Sequence, residues 1–403
     1  MECAKTELPA PWVNHDFTRK ILSNHEGTPV SLIKLEATPA VPKGENFMST
    51  LYRTYVEYKR EKDEKISSKY LIIKYQPPGE AFHKELHVFE NVLPMMNVVG
   101  SSKFGNVYEI SAKYFGTDNQ NTIVLEDLRY LGYKMEDRLK GLNLEQCVIV
   151  LRFLARFHGL SKKLEKMNPE IFDIFKEGFY VTMEERKSVM GPSSRAKMMQ
   201  LASEVETWPK FEHYARKLRN LSSTAGATMF ELEAPKDGSF NVLNHGDFWT
   251  NNILFQYIPG TGQIMNVRFI DFQLSTISSP ALDLQYFITT SCADNIKYDS
   301  RYSLLEVYHG ELVQTLKDLG LDPDQYTMQD LTEDFEEKDL YGFLVGCFDM
   351  SDLLADKKDV PDSRDQSNMP ENIGASEENV FKGKRFAEVF KRMLVYYSNK
   401  GII

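Results

Sequence analysis

The 403-residue sequence predicts an α+β chain in two lobes, an antiparallel-sheet N-lobe with one main helix and a mostly helical C-lobe. Three observations carry that prediction. Residues 30–38 (VSLIKLEAT), 50–58 (TLYRTYVEY) and 69–75 (KYLIIKY) read as strands, the first two by alternating apolar and polar positions. The run GEAFHKELHVFENVLP then places Phe82, Leu86, Phe89 and Leu93 on one helical face, with Pro94 as its stop. Beyond about residue 130 the pattern turns to long apolar helical periodicity. The boundary falls at 128/129, giving an N-lobe over 1–128 and a C-lobe over 129–403.

Taken in order, residues 1–25 read as a short lead in which Trp12 and Phe17 would anchor the chain to the body. PAVPKGENFMS is a Pro- and Gly-bearing turn between the first two strands. Two more strands are expected near 106–115 and 121–127. This order of five strands and a helix is that of a protein-kinase-like N-lobe, although other α+β folds share it. In the C-lobe, 144–165 (LEQCVIVLRFLARFHGLSKKLE) predicts a long helix buried over much of its circumference. Further helices are expected near 195–219, 301–319 and 380–398, and the polar segment 356–379 reads as a mobile surface loop.

Composition narrows the function classes. The hydrophobic fraction is 42% and the charged fraction 26%, enough for a sizeable core. Aromatics reach 12%, which fits aromatic-lined pockets or simply an aromatic core. A formal net charge of −10 repels phosphate backbones, so no nucleic-acid partner is expected. Cys3, Cys147, Cys292 and Cys347 form no CxxC pair and read as reduced thiols of a cytoplasmic protein. The N-terminus lacks a secretory pattern, and no run approaches 18 uninterrupted apolar residues, so no membrane partner is expected.

The chemistry concentrates in 241–291. NVL, NILF and VRFIDF read as strands, with His245, Asp247, Asn252 and Asp271 at their ends and in the loop between. Phosphoryl transfer asks for a base to orient the attacking hydroxyl, hard oxygen ligands for magnesium, and a lysine on the phosphates that stay behind. In kinases the catalytic Asp precedes a metal-binding Asn by five positions, and 252 − 247 = 5. A second metal-binding Asp stands before Phe, and Asp271 precedes Phe272, followed by Gln273 where a glycine is usual. Taken singly, these are ordinary turn and capping residues; the combination is specific.

HGDFWTNNILF, IDFQ and PALDLQYF together closely resemble the ecdysteroid kinase-like family of arthropods, also called CHK kinase-like, relatives of choline kinases and aminoglycoside phosphotransferases. GENFMSTLYR (44–53) is similar to its nucleotide loop, IIKY to its lysine strand, FHKELHVFENVLP to the following helix, VLEDL (124–128) to the interlobe hinge, and FHGLS (157–161) is a further match. The resemblance runs from about residue 11 to 397. It implies a bilobal protein-kinase-like fold and an ATP- and Mg²⁺-dependent phosphotransferase. Asp247 would be the base, with Asn252 and Asp271 the Mg²⁺ ligands. Lys74 would contact the ATP phosphates, oriented by Glu85. Backbone groups of 124–128, with Glu126, Asp127 and Leu128 at its end, would meet the adenine. Asp283 would brace the catalytic loop, and His245 would be structural.

Two assignments have their own logic. Helical geometry puts Glu85 at one edge of the Phe82/Leu86/Phe89 face and Glu90 at the other, so geometry leaves both as partners for Lys74; the family pattern favours Glu85. The nucleotide loop carries no GxGxxG, so Gly44 alone would let backbone approach a phosphate, with Ser49 and Thr50 adding hydroxyl donors. Pro280 follows Asp271 by only nine positions and no APE follows, which argues against a protein kinase and its peptide-docking segment. The expected substrate is a hydroxyl of a small molecule, an ecdysteroid or a xenobiotic. The alternatives are a choline/ethanolamine-type kinase or a non-catalytic binding protein on a kinase scaffold. Oligomeric state is left open by the sequence.

Overall fold

The computed structural model describes residues 13–40, 49–61, 63, 65–76, 79–104, 109–117, 121–176, 183–354 and 380–403. Trp12, Gly44 and the segment 356–379, singled out above, lie outside them.

The lead of the N-lobe is helical over α1 (His15–Glu26), and Phe17 packs against the core of the sheet. The Asn14 side chain accepts the Phe17 N–H at 3.0 Å, and Gly27 ends the helix at φ 64°, an N-cap and a left-handed C-cap respectively. Strands β1 (Val30–Pro39), β2 (Thr50–Arg60), β3 (Ile66–Tyr75), β4 (Tyr114–Gly116) and β5 (Thr122–Glu126) form one antiparallel sheet ordered β1-β2-β3-β5-β4. Alternation along β3 sorts its side chains. Leu71 and Ile73 pack outward with Val56, Tyr58, Val124 and α1's Ile21 and Leu22. Lys74, paired in register with Leu51 and Ile123, points to the other face. The fourth strand is much shorter than the expected 106–115, and 105–108 lie outside the described residues.

Pro94 does not stop the helix. The chain runs through α2 (Glu80–His87), a wide π turn (Val88–Val92) and α3 (Leu93–Phe104). Proline has no N–H and its ring would strike the Glu90 carbonyl of a regular helix. Widening one turn, with the Leu93 N–H bonded to the Val88 carbonyl, puts Pro94 in the first turn of the next α segment instead.

In the C-lobe, β6 (Tyr133–Met135) precedes α4 (Leu144–Met167), which starts with an Asn143–Gln146 capping box. The short α5 (Asp173–Lys176) is followed by α6 (Met183–Glu206), α7 (Glu212–Leu221) and α8 (Ala225–Glu233). The single helix expected over 195–219 is therefore two, broken around Pro209, with Lys210 at φ 71°. Strands β7 (Val242–Asn244), β8 (Ile253–Tyr257), β9 (Ile264–Phe269) and β10 (Thr276–Ser278) make two small sheets, β6-β8-β9 and β7-β10. Then come α9 (Ala281–Ser291), the short α10 (Asp294–Lys297), α11 (Arg301–Asp318), α12 (Met328–Glu337), α13 (Asp339–Phe348), α14 (Met350–Leu354) and α15 (Lys384–Asn399). Every residue of α9 is buried, the mark of a helix enclosed on all sides.

One hydrophobic core joins the lobes. It runs from Phe82 and Phe89 through Leu151, Leu154 and Phe157 of α4 to Phe248, Phe269, Phe272, Phe287 and the inner face of α11. Cys147 and Cys292, distant in sequence, meet inside it with their sulfurs 3.5 Å apart; both are free thiols, as is buried Cys347. Among the described residues no helix is long and apolar enough to cross a membrane.

Candidate active site

The site lies where the inner face of β3 meets the loops at the ends of β7 and β9. The Lys74 Nζ is 2.6 Å from the Glu85 Oε2 and 2.6 Å from the Asp271 Oδ1. Lys74 and Glu85 are buried, Glu85 completely. Burial alone would lower the lysine pKa, but Asp271 and Glu85 overcome it and raise it, so Lys74 is held charged. Burial pushes the Glu85 carboxyl up, and Lys74 offsets only part of that rise. The choice between Glu85 and Glu90 is thereby made: Glu90 faces away and accepts the Tyr114 hydroxyl at 2.8 Å.

Asp271 sits just past β9 at φ 70°, a left-handed conformation that non-glycine residues rarely adopt. Phe272 holds it there. Its fully buried ring packs on His245 (centroids 4.8 Å), Phe89 of the π turn (5.9 Å) and Phe157 of α4 (6.0 Å). Phe248, next to Asp247, meets Phe269 edge-on at 4.8 Å. Both acidic residues thus stand on buried aromatic anchors, each of which would cost about 3–5 kcal/mol to truncate to alanine.

Asp247 lies in a loop tied down from below. The Asp283 Oδ2 accepts the His245 N–H at 2.7 Å and its Oδ1 accepts the Gly246 N–H at 3.0 Å. His158 lies 3.2 Å from the same Oδ2. Asp283 is 1% exposed, so these bonds take the place of water, and the brace expected of it is present geometrically. His245 is neutral: burial lowers its pKa, its Nε2 bonds the Ile270 carbonyl at 2.9 Å, and its Nδ1 accepts the Asp247 N–H at 3.3 Å. Gly246 is required outright. It has φ 83°, and a Cβ there would stand 2.0 Å from the Leu274 carbonyl oxygen.

The Asp247 carboxylate has a donor on each oxygen. The Asn252 Nδ2 reaches Oδ2 at 2.9 Å and the Tyr286 hydroxyl reaches Oδ1 at 2.9 Å. Asn252 also donates to the Asp247 carbonyl at 2.9 Å, which spends its N–H groups and leaves its Oδ1 as an acceptor. Burial and the nearby Asp271 push the Asp247 pKa up to about 6, against the pull of its three hydrogen-bond donors, Tyr286, Asn252 and Trp249. Asp349, at the end of α13, is raised to about 7, chiefly by burial. Tyr286 lies within PALDLQYF, but no role is read for it there, and Asp349 carries no signal that sequence reasoning used; Gly246 was legible in HGD.

Two backbone N–H groups of the hinge segment are already committed within the fold. The Glu126 N–H goes to the Lys113 carbonyl at 2.9 Å and the Asp127 N–H to the Tyr70 carbonyl at 3.0 Å. The Asp127 carboxylate pairs with Arg53 of β2 and accepts the Arg129 N–H. Among the described residues, the Leu128 N–H has no hydrogen-bond partner. Ser49, partly buried, stands immediately before β2.

The sequence pattern of the ecdysteroid kinase-like family matches residues 43–321, more than half of the chain. The chain belongs to the ecdysteroid kinase-like family. Membership makes this ecdysteroid kinase-like protein a small-molecule kinase in broad class. No curated protein matches it. Among solved structures, choline kinase LicA from Streptococcus pneumoniae is 15% identical over 94% of this chain and 98% of that one, with a TM-score of 0.41. A choline/ethanolamine kinase family protein from Mesorhizobium loti is 10% identical over 89% and 93%, with a TM-score of 0.35. Amicoumacin kinase hAmiN, in complex with AMP-PNP, Ca²⁺ and Ami, is 13% identical over 76% and 87%, with a TM-score of 0.35.

Proposed function

We propose that this ecdysteroid kinase-like protein transfers the terminal phosphate of ATP to a hydroxyl of a small organic molecule, with Asp247 as the base. The observation that carries this reading is the convergence of Lys74, Glu85 and Asp271 with the hydrogen-bonded Asp247–Asn252 pair, drawn from both lobes.

The residues present suit a nucleotide and a hard cation. Lys74 uses two of its three N–H donors on Glu85 and Asp271, leaving one for a phosphate. The free Oδ1 of Asn252 and the carboxylate of Asp271 are hard oxygen donors of the kind Mg²⁺ takes one or two at a time, beside substrate phosphates and water. No larger group of three or more His, Cys, Asp or Glu side chains able to hold a metal occurs among the described residues. Bound there, Mg²⁺ would supply neutralisation of the phosphate oxygens. The Leu128 N–H is the hinge donor available to a purine. Asp247 orients the acceptor hydroxyl and takes its proton.

The acceptor belongs on the C-lobe side of Asp247. There Leu282, Tyr286, Tyr341 and Val345 form a buried apolar cluster, flanked by Met229, Leu232 and Trp249. The apolar side chains of this cluster are compatible with an acceptor that has a hydrocarbon skeleton, such as a hydroxylated hormone or xenobiotic. Purified protein with [γ-³²P]ATP, Mg²⁺ and a panel of hydroxysteroids, plant glycosides and choline tests the reading. Label should pass to an apolar alcohol; transfer to choline alone would replace the acceptor class, and no transfer to any acceptor by protein that binds MgATP would favour a non-catalytic role.

A further inference from the structure

Helix α9 does two things at the catalytic loop, and only one of them was anticipated. Asp283 and Tyr286 are three residues apart and so share a helix face. Asp283 holds the backbone of the loop through the N–H groups of His245 and Gly246. Tyr286, 8% exposed, holds the carboxylate itself through Oδ1. The opposite side of the helix is pinned: Gln285 bonds the Phe335 carbonyl at 2.6 Å and the Asp339 Oδ1 at 3.1 Å, and accepts from Arg301 at 2.8 Å. A hydroxyl on so fixed a helix has little freedom to move.

Asn252 holds Oδ2, and Trp249 adds a further donor to the carboxylate. The Tyr286 hydroxyl is the donor on Oδ1, and holding both oxygens fixes the carboxylate plane. We propose that Tyr286 is a positioning residue for phosphoryl transfer: its hydroxyl locks the orientation in which Asp247 meets the acceptor. The inference rests on the phosphotransferase reading above, and it assigns Tyr286 no contact with the reacting atoms. The ring belongs to the Leu282/Tyr341/Val345 cluster, so its packing and its hydroxyl are separable.

The test is a double-mutant cycle on the full chain with Tyr286→Phe and Asp247→Asn, reading single-turnover release of phosphate from [γ-³²P]ATP with Mg²⁺ and water as the acceptor. Tyr286→Phe keeps the ring, so its melting temperature and its MgATP-induced thermal shift should match wild type. Its single-turnover rate should fall about tenfold or more, the scale of a misplaced catalytic group. Placed on Asp247→Asn, the same change should lower the rate no further, because Tyr286 acts through Asp247. An unchanged rate in Tyr286→Phe, or an equal drop in both backgrounds, overturns the inference and leaves the phosphotransferase reading intact. A wild-type protein that neither binds MgATP nor releases phosphate overturns that reading, and the positioning role falls with it.

Discussion

Two buried polar clusters of this protein are built on opposite charge balances. Behind α9, Asp339 is 1% exposed and meets two cations: Arg301 reaches Oδ1 at 3.0 Å and Lys400 bonds Oδ2. Gln285 and the Tyr397 hydroxyl complete the hydrogen bonds, and the Arg301 guanidinium lies over Phe335 at 4.9 Å and Tyr396 at 5.2 Å. In the cleft, one lysine faces several carboxylates. Lys74 is shared between Glu85 and Asp271, Asp247 feels Asp271, and Asp349 adds to the same field. Lys197, the opposing charge of Asp349, is itself bonded to Asp352 at 2.7 Å. The first cluster is closed and serves folding. The second holds more carboxylates than cations, the arrangement expected of a site completed by a cation and its nucleotide.

The largest expected effect is chemical. Asp247→Asn keeps the size of the side chain but removes the base, so turnover should fall by about 10²–10⁴-fold in a single-turnover assay. Stability should move the other way. A carboxylate whose pKa is raised by folding opposes the folded state once it is ionised, so at pH 8 the variant should melt no lower than wild type. A folded Asp247→Asn protein with near-normal turnover would remove Asp247 from the mechanism.

The matching change behind α9 should do the reverse. Asp339→Ala strands Arg301 in an apolar setting, and breaking such a pair costs about 3–5 kcal/mol. Denaturant unfolding should show that loss, while activity per folded molecule stays close to wild type. Equal losses of stability from Asp339→Ala and Asp247→Asn would erase the distinction between the clusters.

A smaller, graded effect is set by pH. The Asp247 pKa is raised to about 6, so the carboxylate is protonated as pH falls through that value. Activity should drop on the acid side of about pH 6, while the part of the stability that ionised Asp247 opposes is recovered over the same range. A rate that stays flat down to pH 5 would contradict the assigned base.

How much of this was legible depended on whether a feature is local. Alternation marked β1 and β2 and an apolar run marked β3, which placed Lys74 on a strand; its face appears only in the sheet register. The HGD, five-residue and IDF spacings singled out Asp247, Asn252 and Asp271, which the fold brings together, because polar loops between short strands have rigid spacing. Helices α9 and α13 escaped because a helix buried all round has no polar stripe to give a period. Pro94 misled because proline stops a regular helix, whereas here a π turn absorbs it. The commitment of the Glu126 and Asp127 N–H groups, the meeting of Cys147 with Cys292, and the Tyr286 contact with Asp247 all join residues far apart in sequence, and no local pattern records them.

The central claim is that Asp271 and Asn252 make the cleft a magnesium-nucleotide site, and calorimetric titration of ATP with and without Mg²⁺ tests it most directly. Wild-type protein should bind ATP more tightly with Mg²⁺ than without, and Asp271→Asn should lose most of that difference while remaining folded. No binding of millimolar MgATP by folded wild-type protein, or an unchanged Mg²⁺ dependence in Asp271→Asn, would contradict it.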